Sequence, residues 1–173
     1  MTTIAYKDGV MAGDSGMTHG SRRIGTVQKV FKTAAGALWG SAGGADDRAF
    51  SNLIWDVREP GQIPTPEALA ALQQDQDGLL VLPCGRVFFL QAHPPGMNAY
   101  KSGVVELLPP VGAIGSGAAF AVAAMMAGSS ARQAAGIGAA LDIYSAPPIT
   151  SVSLDSASSQ VLAFPRHEAK SLT

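Results

Sequence analysis

Short apolar stretches separated by turn-forming residues dominate the first quarter of the chain. Residues 4–6 and 10–12 are apolar and flank Lys7-Asp8-Gly9, and an Asp-Gly pair between two such stretches is typical of a tight hairpin turn. Residues 26–33 alternate well enough for a strand, and the small and apolar residues 37–42 follow after a short turn. The chain is therefore predicted to open with two β-hairpins.

Helical spacing of apolar residues appears in four later segments. Capping residues and prolines mark several of the helix ends. The predicted helices run from a cap at Asp46 or Asp47 to before Pro60, from a cap at Thr65 to about Leu72, over residues 117–127 and over residues 131–144.

Strand-like segments lie between and after these helices. They comprise residues 78–83 and 86–91, which flank Cys84-Gly85 as another hairpin, and residues 104–108, 150–154 and 160–164. Strand pairs that alternate with helix pairs predict an α+β domain in which helices pack against antiparallel sheets. At 173 residues the chain fits one such domain, and the polar residues 165–173 are expected to be frayed.

The fraction of charged residues is low for a monomeric protein, whose whole surface faces solvent. Apolar residues make up 47% of the chain and charged residues 14%, and the formal net charge is −1. This balance disfavours nucleic acid and anionic membranes as partners. Sparse charge also favours a homo-oligomer in which other subunits cover part of the surface, although richness in Ala and Gly lowers the charged fraction by itself.

Cysteine and histidine usage restricts the chemistry further. Cys84 is the only cysteine, so an internal disulfide and a CxxC site are excluded. The histidines, His19, His93 and His167, are scattered and predict no metal site. The N-terminus has no basic stretch followed by a long apolar run, so a secretory signal is not expected. We expect a cytoplasmic protein without a metal or other cofactor.

One uncharged segment, residues 107–131, is long enough to span a bilayer. Pro109 and Pro110 interrupt it early, and its glycines and Ser116 lower its hydrophobicity. The pattern therefore favours a strand and a buried helix over a membrane span.

Thr2 is the first candidate for chemistry. Removal of Met1 by an aminopeptidase, which is common when the second residue is small, leaves an α-amine beside the Thr2 hydroxyl. An α-amine has a pKa near 7.7 to 8.0, so part of it is neutral at neutral pH and able to accept the hydroxyl proton. Taken alone, Thr2 is better explained as the edge of a strand, because Met-Thr-Thr is an ordinary beginning for a chain.

Lys29 is the second candidate, because a strand over residues 26–33 places it between apolar neighbours on one face. A buried ammonium needs a partner, and it lowers the pKa of a nearby amine by like-charge repulsion. Asp14, at the end of the second predicted strand, is a candidate partner. An exposed strand lysine and a turn aspartate are the alternatives for the two residues.

Several short motifs follow one another along the chain. They are Thr2-Thr3-Ile4, Ala12-Gly13-Asp14-Ser15, Thr18-x-Gly20, Val27-Gln28-Lys29-Val30, Gly40-Ser41-Ala42-Gly43-Gly44-Ala45, Ile114-Gly115-Ser116-Gly117 and Asp142-x-Tyr144-Ser145. In this order they resemble the motifs of proteasome β-type subunits, and the bacterial HslV-type peptidase is particularly similar. The resemblance extends from Thr2 to about Leu154. It implies a four-layer αββα sandwich of two antiparallel sheets flanked by helices, the fold of N-terminal nucleophile hydrolases.

The same resemblance implies a threonine-type endopeptidase with a defined reactive centre. Thr2 corresponds to the nucleophile, Lys29 to the residue that tunes its protonation, and Asp14 to the carboxylate that pairs with Lys29. Ser116, Asp142 and Ser145 correspond to the groups that hold the N-terminal amine. The spacing of Asp142 and Ser145 predicts that both lie on one face of a final helical turn, where they also read as an ordinary polar helix end.

Substrate contacts are implied in the same way. Gly43 corresponds to the glycine whose N–H binds the developing oxyanion, although Gly43-Gly44 also suits a tight strand-to-helix turn. Thr18 and Gly43 correspond to residues that pair with an extended substrate. The pocket for the residue before the cut is predicted to be lined by Met17, Val27, Phe31, Ser41 and Ala45.

The chain departs from the family in two shortened connections, between Thr2 and Lys29 and between Ser116 and Asp142, so ring contacts are expected to differ. We do not expect an extension of the α-subunit type before Thr2, so a gate-forming role is not expected. The resemblance implies a ring or stacked-ring homo-oligomer that degrades peptides or unfolded protein. A separate ATP-dependent unfoldase is a candidate partner. A catalytically silent ring component and an amidase for small amides are the alternative functions.

Overall fold

The computed structural model describes residues 2–19, 22–44, 48–72, 74–94, 96 and 101–155. Strands and helices alternate in the order expected for an α+β protein. The strands are β1 (Ile4–Lys7), β2 (Val10–Asp14), β3 (Gly16–His19), β4 (Arg22–Thr26), β5 (Val30–Lys32), β6 (Leu38–Gly43), β7 (Gln76–Val81), β8 (Val87–Ala92), β9 (Gly103–Glu106), β10 (Gly112–Ile114) and β11 (Ile149–Ser153). The helices are α1 (Arg48–Ile54), α2 (Pro66–Ala70), α3 (Ala118–Met126) and α4 (Ala131–Leu141), with a 3₁₀ turn at Pro60–Gln62.

Two antiparallel sheets carry the fold. The first has the strand order β10-β1-β2-β11, and the second has the order β5-β6-β7-β8-β9. The hairpin between β1 and β2 turns at Asp8 and Gly9, whose φ angles of 50° and 79° are those of the tight turn predicted from the Asp-Gly pair. The predicted antiparallel α+β sandwich is confirmed at this level.

Successive side chains of β1 point to opposite faces of the first sheet and enter different clusters. Ile4 and Tyr6 join a buried apolar cluster with residues of the second sheet, such as Leu79 and Val87. Ala5 instead packs with alanines of α3 and α4. The first sheet is therefore covered by the second sheet on one side and by helices on the other.

The outer face of the second sheet packs on α1 and α2. Trp39 of β6 meets Phe50 of α1 edge to face, with ring centroids 4.9 Å apart, and its indole N–H donates to the Ser51 hydroxyl at 3.0 Å. Leu69 of α2 completes this cluster with Leu80 of β7. Thr65 caps α2 as predicted, because its hydroxyl accepts a hydrogen bond from the Ala68 N–H at 3.3 Å.

The strand predicted over residues 26–33 is wrong in its first half. Val27 donates its N–H to the Ser15 carbonyl at 2.8 Å and lies between β4 and β5, so Lys29 precedes the strand Val30–Lys32 instead of lying within it. The ribbon formed by β3 and β4 was not predicted. Strand β10 and helix α3 both lie in the uncharged segment 107–131, for which the pattern favoured a strand and a buried helix.

The last predicted helix is too long. Helix α4 ends at Leu141, and Asp142 has an extended backbone with φ −87° and ψ 118°. The Ser145 N–H donates to the Asp142 carbonyl at 3.2 Å, so the two residues lie in a turn after the helix and not on a helical face. The caps predicted at Asp46 and Asp47, the strand 160–164 and the tail 165–173 lie outside the described residues.

No helix in the described ranges combines the length and the apolar composition that crossing a membrane requires. In the same ranges, no three His, Cys, Asp or Glu side chains are grouped so that they could hold a metal ion.

Candidate active site

Thr2 lies buried immediately before β1, where the first sheet meets the start of α3. Its carbonyl accepts a hydrogen bond from the Gly117 N–H at 3.3 Å, and its nitrogen lies 3.3 Å from the Ser116 hydroxyl oxygen, to which it donates. With Met1 attached, this nitrogen is a peptide amide. It occupies the position that the α-amine would take in a chain beginning at Thr2.

The Ser116 hydroxyl is in turn held by the carboxylate of Asp142. Asp142 Oδ2 accepts hydrogen bonds from the hydroxyls of Ser116 and Ser145, each at 2.6 Å, and Oδ1 accepts from the Tyr144 N–H at 3.2 Å. Burial favours the neutral acid, but these hydrogen bonds outweigh burial and hold the pKa of Asp142 below its ordinary value. The turn therefore brings the three predicted residues together around an ionised carboxylate.

A second carboxylate lies on the other side of the N-terminal strand. Asp14 is fully buried, and its two oxygens lie 3.0 and 3.1 Å from the Lys29 ammonium. They also accept hydrogen bonds from the backbone N–H groups of Thr3, Gly16 and Ala146, each at 2.9 Å. The contact predicted between Asp14 and Lys29 is therefore present, within a set of donors that saturates the carboxylate.

The Lys29 side chain is only 9% exposed. Burial lowers the pKa of its ammonium, and the negative charge of Asp14 partly opposes this shift. Lys29 is thus held near the start of β1 by an ion pair even though it lies outside the predicted strand.

Thr3 joins the two carboxylate clusters, and sequence reasoning did not select it. It donates its N–H to Asp14, and its hydroxyl lies 2.8 Å from that of Ser145. A Cβ at Gly117 would collide with the Thr3 hydroxyl, and a Cβ at Gly138 would collide with the Thr3 methyl. Gly117, directly before α3, and Gly138 of α4 thus permit the close approach. A glycine inside a predicted helix, such as Gly138, is the kind of sequence signal that points to such a contact.

Gly115 has a similar function beside Thr2. Its φ of 90° lies in the left-handed region, and a Cβ there would collide with the Thr2 carbonyl. In the motif Gly115-Ser116-Gly117, the serine therefore provides a hydroxyl for Thr2. The two glycines leave room for Thr2 and Thr3 to pack closely against this segment.

A pocket of about 450 Å³ opens beside Thr2. Its described lining residues are Thr2, Ala42, Gly43, Asp75, Gln76, Asp77, Gln91, His93, Gly115 and Ser116. Gly43 thus shares a cavity with Thr2, as expected for the predicted oxyanion donor.

Other residues predicted to bind substrate are not among the described lining of this pocket. Met17 and Val27 are exposed on or beside the β3–β4 ribbon, where Thr18 is half-buried. Phe31 packs in the apolar cluster against α1 and α2, because β5 turns that side chain to the outer face. Ser41 is half-buried on β6, and Ala45 lies outside the described residues.

No protein-family model and no curated protein matches the sequence. Among solved structures, Thiobacillus denitrificans BPH in complex with epoxomicin is similar, with a TM-score of 0.61 and 21% identity over 90% of this chain and 99% of that one. A further structure of Thiobacillus denitrificans BPH gives a TM-score of 0.59 at 21% identity over 87% of this chain and 95% of that one. This chain therefore shares the fold of BPH along almost its whole length.

Proposed function

We propose that the protein is a threonine-type endopeptidase of the proteasome β-type, with the N-terminal nucleophile hydrolase fold in its four-layer αββα form. The observation that carries this proposal is the position of Thr2. Its nitrogen contacts the Ser116 hydroxyl, which Asp142 holds, and the residue borders a pocket large enough for a substrate side chain. The related BPH structure, with epoxomicin bound, supports the same assignment, because epoxomicin is a proteasome inhibitor.

In this mechanism Thr2 must be the first residue of the mature chain. Its free α-amine accepts the hydroxyl proton as Oγ attacks the substrate carbonyl carbon. The protonated amine then donates that proton to the leaving nitrogen, and the peptide bond breaks to give an ester on Thr2. Water, which transfers a proton to the same amine, hydrolyses the ester and releases the second product, and the amine returns the proton to Oγ.

The two carboxylates have separate functions in this proposal. Asp142 holds the Ser116 and Ser145 hydroxyls, and Ser116 orients the amine. Asp14 holds the Lys29 ammonium, whose positive charge lowers the pKa of a nearby amine and favours its neutral, basic form. The Gly43 N–H is proposed to bind the oxyanion, and loss of such a donor costs about 3 kcal/mol of transition-state stabilisation.

The active unit is proposed to be a ring or stacked-ring homo-oligomer. Helix α3 carries no charged residue, and its Met126 side chain is 74% exposed; beyond α4, Ile143 is 85% exposed. Exposed apolar groups on adjacent elements suit contact with further copies of the chain. Light scattering on the purified protein would give a single mass several times that of one chain if this is correct.

Epoxomicin tests the nucleophile directly. The protein is first sequenced from its N-terminus, then incubated with epoxomicin and mapped by mass spectrometry. We expect an adduct on the peptide that begins with Thr2, and none on the folded Thr2→Ala variant. Absence of an adduct from folded protein that begins at Thr2 would refute the proposed activity.

Other results of the same experiment would favour the two alternative functions. Retention of Met1 in the native host would favour a catalytically silent ring component, because an acylated nitrogen is not a base. Adduct formation without cleavage of any peptide, together with hydrolysis of small amides, would favour an amidase.

A further inference from the structure

The pocket beside Thr2 has two unlike walls. The wall from the first sheet and the start of α3 is formed by Thr2, Gly115 and Ser116 and carries no charged side chain. The second wall comes from the ends of β7 and β8 and from the residues next to them, and its polar residues are Asp75, Gln76, Asp77, Gln91 and His93. Ala42 and Gly43 of β6 complete the described lining.

Strand register explains why this second wall is polar. Leu79 of β7 belongs to the apolar cluster between the sheets, and Phe89, its partner on β8, packs against the same cluster. Asp77 and Gln91 are the next pair on that face, because they lie two residues away on each strand and directly opposite each other. The inner face of the second sheet thus changes from apolar to polar where it reaches the pocket.

Among its described residues, this wall contains two carboxylates, Asp75 and Asp77, and one imidazole, His93. Asp75 contacts the His93 ring nitrogen at 2.5 Å, whereas Asp77 is hydrogen-bonded to the neutral Gln91 amide. The described lining includes no lysine or arginine. Burial raises the pKa of Asp77, and the charge of Asp75 adds to that shift, although the Gln91 hydrogen bond and His93 oppose it. A cation in the pocket would stabilise the ionised Asp77.

We infer that Asp77 is a specificity-determining residue that binds a cationic group of the substrate in the pocket beside Thr2. The group is the side chain of lysine or arginine near the cleaved bond, or the free amino terminus of a short peptide. Both present the same chemistry, an ammonium or guanidinium within reach of a half-buried carboxylate. This inference rests on the proposed function of Thr2 and specifies its substrate class.

The test uses internally quenched fluorogenic peptides with lysine or norleucine at each of three positions on either side of the bond. Norleucine keeps the unbranched stem and removes the ammonium. Each peptide is made with a free and with an acetylated amino terminus. For the wild-type protein we expect kcat/KM to favour lysine over norleucine by about tenfold at one position, or the free over the acetylated terminus by as much, since one charge contact of this kind is worth about that factor.

The variant Asp77→Asn keeps the shape of the side chain and removes its charge. We expect the preference ratio to fall to within about twofold, whereas Asp8→Asn, which removes an exposed carboxylate in the β1–β2 turn, keeps the wild-type ratio. Should Asp77→Asn fail to fold by circular dichroism, Asp77→Ser takes its place.

Three results separate the two proposals. Cleavage without any preference for a cation in the wild-type protein would overturn the inference on Asp77 and leave the threonine peptidase intact. A preference that survives in folded Asp77→Asn would also overturn it. Failure of folded protein that begins at Thr2 to cleave peptides or to react with epoxomicin would refute the proposed function itself, and the inference on Asp77 with it.

Discussion

The Thr3 hydroxyl lies 2.8 Å from the Ser145 hydroxyl, and this contact joins residues 142 positions apart in the chain. Ser145 donates to Asp142, and the Thr3 N–H donates to Asp14. Thr3 therefore connects the carboxylate that holds Ser116 to the carboxylate that holds Lys29. Although Thr3 takes no part in the proposed chemistry, its position fixes Thr2 between the two clusters.

Thr3→Val removes the hydroxyl and keeps the shape of the side chain. We expect a loss of about 1 kcal/mol in the free energy of unfolding, because one buried hydrogen bond is lost. We also expect slower labelling of Thr2 by epoxomicin, because the start of the chain is less well fixed. Urea unfolding and the rate of adduct formation measure the two effects. Thr3→Ser restores the hydroxyl and is expected to restore the labelling rate, and equal rates in the two variants would contradict this positioning role.

Removing only one partner of the ion pair between Asp14 and Lys29 is expected to lower the free energy of unfolding more than removing both. Asp14→Asn leaves a largely buried ammonium without a carboxylate, and such losses amount to about 3–5 kcal/mol of unfolding free energy. The double variant Asp14→Asn with Lys29→Met removes both charges, so it is expected to be less destabilised than the sum of the single variants. Urea unfolding of the three variants and the wild type completes the cycle. Additive losses would show that the pair is not coupled.

The substitution Gly117→Ala tests the close packing between Gly117 and Thr3 without changing any charge. A Cβ at this position would collide with the Thr3 hydroxyl, so Gly117→Ala is expected to lower the free energy of unfolding by about 3 kcal/mol or more. Gly136 of α4 has no atom within 4 Å of a Cβ placed on it. Gly136→Ala therefore serves as the control and is expected to stabilise the protein by up to about 1 kcal/mol, because alanine favours a helix. Similar thermal unfolding of the two variants would contradict the packing described for Thr3.

The sequence correctly predicted turns and helix caps whose formation depends on neighbouring residues. The pair Asp8-Gly9 is suited to the turn it forms, and Thr65 is suited to cap the helix that follows it. The contact between Asp14 and Lys29 was predicted correctly from the need of a buried ammonium for a carboxylate, although the strand that was expected to bury Lys29 begins only at Val30. In each case the structure depends on a few residues close in sequence or on one requirement of charge.

The missed features depend on neighbours distant in sequence. Every residue of β4 is exposed, so the strand has no apolar alternation that would predict it. Phe31 points towards the outer helices because its neighbour Val30 points into the cluster between the sheets. The sequence does not specify which of these two side chains faces inward. Asp77 gains its position only because β7 and β8 pair and end beside Thr2. These features follow from how the sheets meet, which periodicity along the chain does not specify.

Asp142 gives the stability of the protein a defined pH dependence. Its pKa in the folded state lies below the ordinary value, so the unfolded chain takes up a proton first as the pH falls. The stabilisation that Asp142 provides is therefore complete above about pH 4, the ordinary range for an aspartate, and is lost progressively as the pH falls towards the lower pKa of the folded state. Asp142→Asn cannot titrate, and we expect it to cost about 2 kcal/mol at neutral pH through weaker hydrogen bonds to Ser116 and Ser145.

The measurement is urea unfolding of the wild type and Asp142→Asn between about pH 7 and pH 3, a range that spans the ordinary aspartate pKa. The difference between their unfolding free energies is expected to be constant down to about pH 4 and to narrow below it. Asp155→Asn removes an exposed carboxylate after β11 and controls for the loss of one charge. Its free energy of unfolding at neutral pH is expected to be close to that of the wild type. A difference that widens as the pH falls would mean that Asp142 is protonated more readily in the folded state, and the hydrogen bonds described here would then not hold its charge.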